Sequence, residues 1–276
     1  MSNPYLPPEL LDYIVDFLHD DQTTLKKCCL VSKPWIPRAR KHLFAEIRLE
    51  KPELWKKMFP DPSTSPANFA KSLHFDSAHA ITAADAEPGG WLTGFVHIVH
   101  LGVETREKEA FEEPLVSLAP FHRFSPTIKS LRLGSTAIPP SWISKFILSS
   151  PLLEDLTVTT YGVSVDDGNG SDDPSTVLHP PNPPAFTGSL DLPLGRRIKP
   201  IASRLLSMPG GIHFRKLTLE CCCEEDLLVI TALVRECSRT LESLNINFSP
   251  FGMSIRHLGP RHWLTSVFSR LVVDFG

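Results

Sequence analysis

Three groups of residues in this chain have side chains that carry chemistry in other proteins. They are Cys221-Cys222-Cys223, the histidines His74, His79, His97 and His100, and the acids Asp166, Asp167, Asp172 and Asp173. Three consecutive cysteines cannot all point at one metal ion without contorting the backbone, so buried free thiols are expected there. His97 and His100 would share a face on a helix but point to opposite faces on a strand, where they make a poor chelate. The four aspartates lack the order of a calcium-binding loop and lie in a proline-rich stretch, which reads as a solvated loop. There is no CxxC pair, no GxSxG elbow and no GxxxxGK[ST] phosphate loop. The sequence therefore predicts no catalytic residues, no metal and no cofactor. A hydrolase on an α/β body would need a Ser/His/Asp constellation that only the fold can assemble.

The totals narrow the classes further. Apolar residues make up 42% of the 276 positions and charged residues 21%, enough for a sizeable core. The net charge of -3 gives no reason to expect nucleic acid. The basic run Arg38-Ala39-Arg40-Lys41-His42 reads as a solvated helix face. Five of the six cysteines adjoin another cysteine, unlike the spread framework of a secreted disulfide scaffold. The start MSNPYLPPELL lacks a basic region and a long apolar stretch, and the apolar run Leu227 to Val234 falls well short of the ~20 residues that span a bilayer. These features predict a soluble protein of the cytoplasm or nucleus, with no membrane partner and no sign of homo-oligomers.

Residues 5 to 45 have the pattern of three short helices. The first runs from about Pro8 to Leu18, with proline favoured at its start. Leu10, Leu11, Ile14, Phe17 and Leu18 make an apolar stripe, and Glu9, Asp12 and Asp16 a polar side. Asp21 or Thr23 can cap the second helix, which carries Leu25, Cys28, Leu30 and Val31. Ser32 and Lys33 end it, because the residue before Pro34 is pushed away from helical geometry. The third begins near Trp35, with Pro37 still in its first turn and Ala39, Leu43 and Phe44 on its apolar face.

The string LPPELLDYIVDFLHDD…TLKKCCLVSKPWIPRARKHLF resembles an F-box, in the variant found in basidiomycete fungi. The matching residues are Leu6, Pro7, Glu9, Leu10, Ile14, Leu18, Leu25, Leu30, Val31, Ser32 and Trp35. Pro37 departs from the commoner pattern and leaves the geometry of the third helix open. The resemblance covers about 40 residues. It implies docking onto the Skp-family adaptor of a cullin–RING ubiquitin ligase through Leu6, Pro7, Leu10, Ile14, Leu18, Val31 and Trp35. Alternatively, these side chains only pack the helices against the body. The stripe on the first helix is too wide for a three-helix core to cover, which favours a partner.

Beyond residue 68 a pattern recurs: apolar, two variable residues, leucine, one variable residue, apolar. It occurs as Ile128–Leu133, Leu153–Val158, Phe214–Leu219 and Leu241–Ile246, with looser copies at Ala70–Phe75, Val96–Leu101 and Phe268–Val273. The central positions 73, 99, 131, 156, 217, 244 and 271 are separated by 26, 32, 25, 61, 27 and 27 residues. Most steps lie near the ~20–29-residue period of leucine-rich repeats. Each unit reads as a short strand, and Ser141–Ser149 and Glu224–Cys237 as covering helices. The step of 61 equals about two repeats, or one repeat plus an insertion, and the insertion is favoured because 161 to 200 is dense in Asp, Gly, Ser and Pro. The body thus resembles the irregular leucine-rich repeats that follow fungal F-boxes, although most copies lack the asparagine of regular repeats.

The expected organisation is an α/β chain. An F-box helical module spans 1–48 and a linker 49–68. A leucine-rich-repeat solenoid of short parallel strands, with helices and loops outside, spans 69–276, with a disordered insertion at about 163–200. The function this implies is a non-enzymatic adaptor that brings an unknown protein target to the ligase. The alternative is a structural repeat protein whose N-terminal helices only cap the solenoid. Outward-facing Leu10, Ile14 and Trp35 would favour docking, and burial on the first repeat would favour capping.

Overall fold

The computed structural model describes residues 7–61, 65–76, 81–104, 119–134, 140–159, 186–192, 198–208, 210–221, 224–248 and 270–274. The chain is an α/β protein with eight parallel strands, covered on one face by helices and 3-10 turns. The strands are β1 (Glu46–Leu49), β2 (Ser72–Phe75), β3 (His100–Glu104), β4 (Ser130–Gly134), β5 (Asp155–Thr159), β6 (Ser189–Leu192), β7 (Lys216–Cys221) and β8 (Ser243–Phe248). They lie side by side in chain order, and β9 (Arg270–Asp274) adds an antiparallel edge.

The register is set by two inward-facing residues per strand. Ile47, Leu73, Leu101, Leu131, Leu156, Leu190, Leu217 and Leu244 align across the sheet. Two positions on come Leu49, Phe75, Val103, Leu133, Val158, Leu192, Leu219 and Ile246, and all sixteen are buried. A strand shows alternate residues to opposite faces, so a one-residue slip would expose the whole set.

The lead-ins to β2, β3, β4, β5 and β8 are held by a recurring bond pattern. The Ala45 carbonyl accepts from the N–H groups of Lys71 and Ser72, at 2.8 and 2.9 Å. The Lys71 carbonyl accepts from Val99 and His100, that of Val99 from Lys129 and Ser130, and that of Lys129 from Glu154 and Asp155. The Arg215 carbonyl repeats the pattern with Glu242 and Ser243. One carbonyl thus uses both lone pairs to tie the next repeat in place.

Parallel neighbours require crossover connections, and these supply the second layer. Between β1 and β2 lie α4 (Pro52–Met58) and a 3-10 turn (Pro66–Phe69). Next come α5 (Ala83–Ala86) with a turn at Trp91–Gly94, and the turn Ala119–Phe124. Three longer helices follow, α6 (Pro140–Leu148), α7 (Lys199–Leu206) and α8 (Glu224–Cys237). Trp55, Trp91, Phe95, Phe121, Phe146, Leu205 and Leu233 from these segments are buried in one core with the strand leucines. Phe75 and Phe121 meet at 5.1 Å between ring centroids, as Phe186 and Phe214 do at 4.9 Å.

Several expectations are corrected. The span 49–68 is not a linker: β1 lies across its start and Trp55, Pro66 and Ala67 are buried, because the first strand also needs an apolar cover. The third strand is centred on Leu101, not on position 99, since Ile98 and not Val96 is the buried lead-in residue. The 61-residue step contains a strand: β6 lies inside the span expected as an insertion, with Leu190 between Leu156 and Leu217. The four aspartates of that span lie outside the described residues. The last strand is antiparallel, with Leu244 opposite Val273 and Ile246 opposite Leu271. An antiparallel neighbour can be joined without a crossover unit.

Gly188 precedes β6 where the chain passes close to the previous repeat. A Cβ there would lie 1.3 Å from the Glu154 carbonyl oxygen, which accepts from the Ser189 N–H. Backbone cannot move aside as a flexible side chain does. Gly188→Ala is expected to cost about 1–3 kcal/mol, as overpacking does, and to lower the melting temperature by several degrees. An unchanged thermal melt followed by circular dichroism would show that β6 does not approach β5 this closely.

Candidate functional site

The N-terminal helices form a small unit with its own core. They are α1 (Pro8–Phe17), α2 (Gln22–Val31) and α3 (Ile36–Leu43), with a 3-10 turn at Lys33–Trp35. Asp21 caps α2 by accepting the Thr24 N–H at 2.9 Å. Pro8 and Pro37 each fall in the first turn of a helix, where no intrahelical partner is lost. Val15, Leu25, Cys28 and Ala39 make the core, with Leu18, Cys29, Trp35 and Leu43 packed against it. This cluster is separate from the core under the sheet, which takes only Phe44 from the end of α3.

The apolar residues of α1 divide between two faces. Val15 and Leu18 turn inward, four and seven positions after the half-buried Leu11. Leu10, Tyr13, Ile14 and Phe17 follow the same helical spacing one step round, and are 50, 71, 40 and 81% exposed. On α2, Leu25 and Cys28 face the core while Leu30 and Val31 are 88 and 73% exposed. The expected polar side is broken by Asp16, which faces α3 instead. Its carboxylate accepts bidentately from Arg38 and again from His42 Nε2, the latter at 2.7 Å.

Of the residues implied by the resemblance, Pro7 is the exposed cap residue of α1, and Leu10, Ile14 and Val31 are exposed. Leu18 and Trp35 are half-buried on the unit's own core. Leu6 lies outside the described residues. Tyr13, which the sequence pattern did not single out, is among the exposed group. It sits three positions after Leu10 and four before Phe17, so the helical period alone would have found it.

The second surface is the open face of the sheet. Residues between the buried positions point there: Arg48, His74, Gly102, Arg132, Thr157, Asp191, Thr218 and Asn245 along one row. Ion pairs bridge adjacent strands, Arg48 with Asp76 at 2.9 Å and Arg132 with Glu104 at 3.0 Å. The His74 ring lies over Gly102, where a Cβ would come within 2.1 Å of Nδ1. Burial lowers the His74 pKa and raises that of Asp191, whose Oδ1 is enclosed without a hydrogen bond. The face is polar and internally paired over much of its length.

The geometry does not assemble nucleophilic catalysis among the described residues. His122 Nδ1 lies 3.1 Å from Ser149 Oγ, the pairing that a hydrolase would use. Ser149 Oγ, however, donates to the Phe146 carbonyl at 2.8 Å, and no carboxylate among the described residues orients His122. Burial holds the His122 pKa down. No cluster of three or more metal-ligating side chains occurs among the described residues. Cys221 and Cys237 are buried, Cys237 as a free thiol, and Cys222 and Cys223 lie outside the described residues. His97 precedes β3 and His100 opens it, so the two line one groove with Lys71 instead of facing apart. No described helix is long and apolar enough to cross a membrane.

No known protein-family model matches this chain, and no curated protein matches it significantly.

The Asp16 site gives a test of what holds the three helices together. Hydrogen bonds from Arg38 first, and then from His42, keep the Asp16 carboxyl well below the usual carboxylate range. The folded value lies below the unfolded one of about 3.9, so the stabilisation is complete at neutral pH and fades as pH falls through about 4. Asp16→Asn is expected to lower the melting temperature at pH 7. The gap to the wild type should narrow in melts recorded toward pH 3; a gap independent of pH would assign the loss to something other than the charge.

Proposed function

We propose that this chain is the target-recognition adaptor of a Skp–cullin–F-box ubiquitin ligase. In this reading the three N-terminal helices are an F-box module and the strands with their covering helices an irregular leucine-rich-repeat body. The observation that carries the reading is the exposed apolar set on α1 and α2: Leu10, Tyr13, Ile14, Phe17, Leu30 and Val31. These helices already have a core, so the exposed set is surplus to folding, and apolar surface of that kind marks a partner site. The residues carried over from the F-box pattern for Skp docking are Leu6, Pro7, Leu10, Ile14, Leu18, Val31 and Trp35. The half-buried Leu18 and Trp35 support the surface from below, and Phe17 is better placed to reach a partner.

The adaptor makes and breaks no bond. It raises the concentration of its target beside the ubiquitin-transfer machinery. The polar open face of the sheet is the surface offered to that target, an unknown protein. The reading places the chain in the cytoplasm or nucleus, needs no cofactor and involves neither nucleic acid nor membrane. The capping alternative requires Leu10, Ile14 and Trp35 to lie buried on the first repeat; Leu10 and Ile14 are 50 and 40% exposed, which weighs against it, while Trp35 is half-buried on the helices' own core.

The test is co-expression with a fungal Skp-family adaptor followed by size-exclusion chromatography, with Leu10→Asp/Ile14→Asp as the comparison. Interface anchors are worth about 2 kcal/mol or more each, so two buried charges should abolish the complex. The wild type is expected to co-elute and the double variant, shown folded by circular dichroism, to elute alone. A folded wild type that never binds the adaptor would leave the helices as a cap.

A further inference from the structure

Three basic side chains meet at the leading end of the sheet, where β2, β3 and β4 begin. A groove of about 520 Å³ is lined there by Lys71, Val96, His97, Val99, His100 and Thr127. That volume is within the range of ligand-binding clefts. Lys71, His97 and His100 are exposed, and none of their side chains has an ion pair or hydrogen-bond partner among the described residues. The next cation along, Lys129, is neutralised by Glu154 at 2.9 Å. An unpaired lysine and two histidines are thus concentrated in a chain whose net charge, with histidine neutral, is -3. Val96 and Val99 add apolar lining, Val96 being 52% exposed.

The groove is built on fixed elements. Phe95 and Ile98, on either side of Val96 and His97, are 1 and 0% exposed and anchor this irregular stretch in the core. Thr127 Oγ1 donates to the Ile98 carbonyl at 2.7 Å and ties the far wall to it. The Lys71 carbonyl accepts from Val99 and His100 and sets the near wall. A preorganised site loses little entropy when a ligand enters.

We propose that this groove captures an acidic segment of a protein partner, seating one apolar side chain on Val96 and Val99 between carboxylates held by Lys71, His97 and His100. An apolar centre with a charged rim is the usual anatomy of a small recognition site. The charge complementarity sets the sign of the ligand. An imidazole has an N–H to offer a carboxylate in either protonation state, so two histidines serve beside one lysine. The inference concerns the body alone and stands whether or not the N-terminal helices dock on a Skp-family adaptor.

The probe is a fluorescein-labelled peptide with one leucine flanked on both sides by glutamates, titrated with the full chain and read by fluorescence anisotropy. Saturable binding is expected, weakening as salt rises. Lys71→Glu/His97→Glu should weaken it at least tenfold, as should replacing the glutamates by glutamine. Val96→Asp is an independent exposed variant with the same expected loss, and thermal melts confirm that both chains are folded. Absence of saturable binding to the wild type, or unchanged binding by both folded variants, would overturn the proposal. So would binding of a phosphoserine peptide lacking acidic residues when the glutamate peptide does not bind, since the groove would then recognise phosphate.

Discussion

The lead-in carbonyl that accepts two N–H groups from the next repeat is the constraint on which the body depends. It occurs at Ala45, Lys71, Val99, Lys129 and Arg215, and it fixes β2, β3, β4, β5 and β8 against their predecessors before any side chain is considered. Once the backbone is indexed in this way, the central leucines fall into one line and the residues two positions on into another. The connecting segments then have a single obligation, to cover those lines with apolar side chains. That explains why they differ so much in form, from the short 3-10 turn at Trp91–Gly94 to the fourteen residues of α8. Gly188 fits the same logic: it lies where one backbone reaches the carbonyl of another, and a side chain there would push the repeats apart.

The same indexing creates the surfaces. Residues on either side of each central leucine must face away from the core, so the open sheet face is a lattice with one side chain per strand in each row. Arg48 finds Asp76, and Arg132 finds Glu104, because each lies one strand from its partner. At the leading end the lattice gives way to irregular backbone, and Lys71, His97 and His100 there have no such partners among the described residues. An unpaired lysine with two histidines, beside a face whose Arg48 and Arg132 are paired, is a difference in chemistry produced by position.

Much of the body was legible in the sequence wherever all three apolar positions of a repeat are present. Ile128, Leu131 and Leu133 place β4, and Phe214, Leu217 and Leu219 place β7. The same pattern was misread where two frames compete. Val96, Val99 and Leu101 fit it loosely, with valine at the centre, and overlap Ile98, Leu101 and Val103, which have leucine at the centre and are the buried set. It was missed at β6, where Thr187 occupies the lead-in position and Phe186, one residue earlier, fills the core in its place. It was missed at β1 because Ile47 stands for leucine and Phe44 had been assigned to the preceding helix. The direction of β9 is not encoded by alternation, which reads the same both ways along a strand. On the N-terminal helices the periodicity was clear, but not its division into two faces. Val15 points in and Ile14 out, and the choice is made by where α2 and α3 pack.

That division bears on how the small helical unit survives. Four fully buried residues, Val15, Leu25, Cys28 and Ala39, are little core for three helices, and units of this size are marginal without reinforcement. Reinforcement comes from the Arg38–Asp16–His42 knot, which ties α1 to α3, and from Phe44, which continues α3 into the main core just before β1. Neither device uses Leu10, Tyr13, Ile14 or Phe17. Packing those side chains inward would have deepened the core, yet the helix turns them out and seals itself with a charged pair instead. A sequence that keeps apolar residues on the outside of a marginal unit gains stability from whatever covers them, because binding to the folded state alone adds to its free energy of unfolding. Any ligand of that outer face would therefore be linked to folding of the helices, and the polar knot ties α1 to α3 without using it.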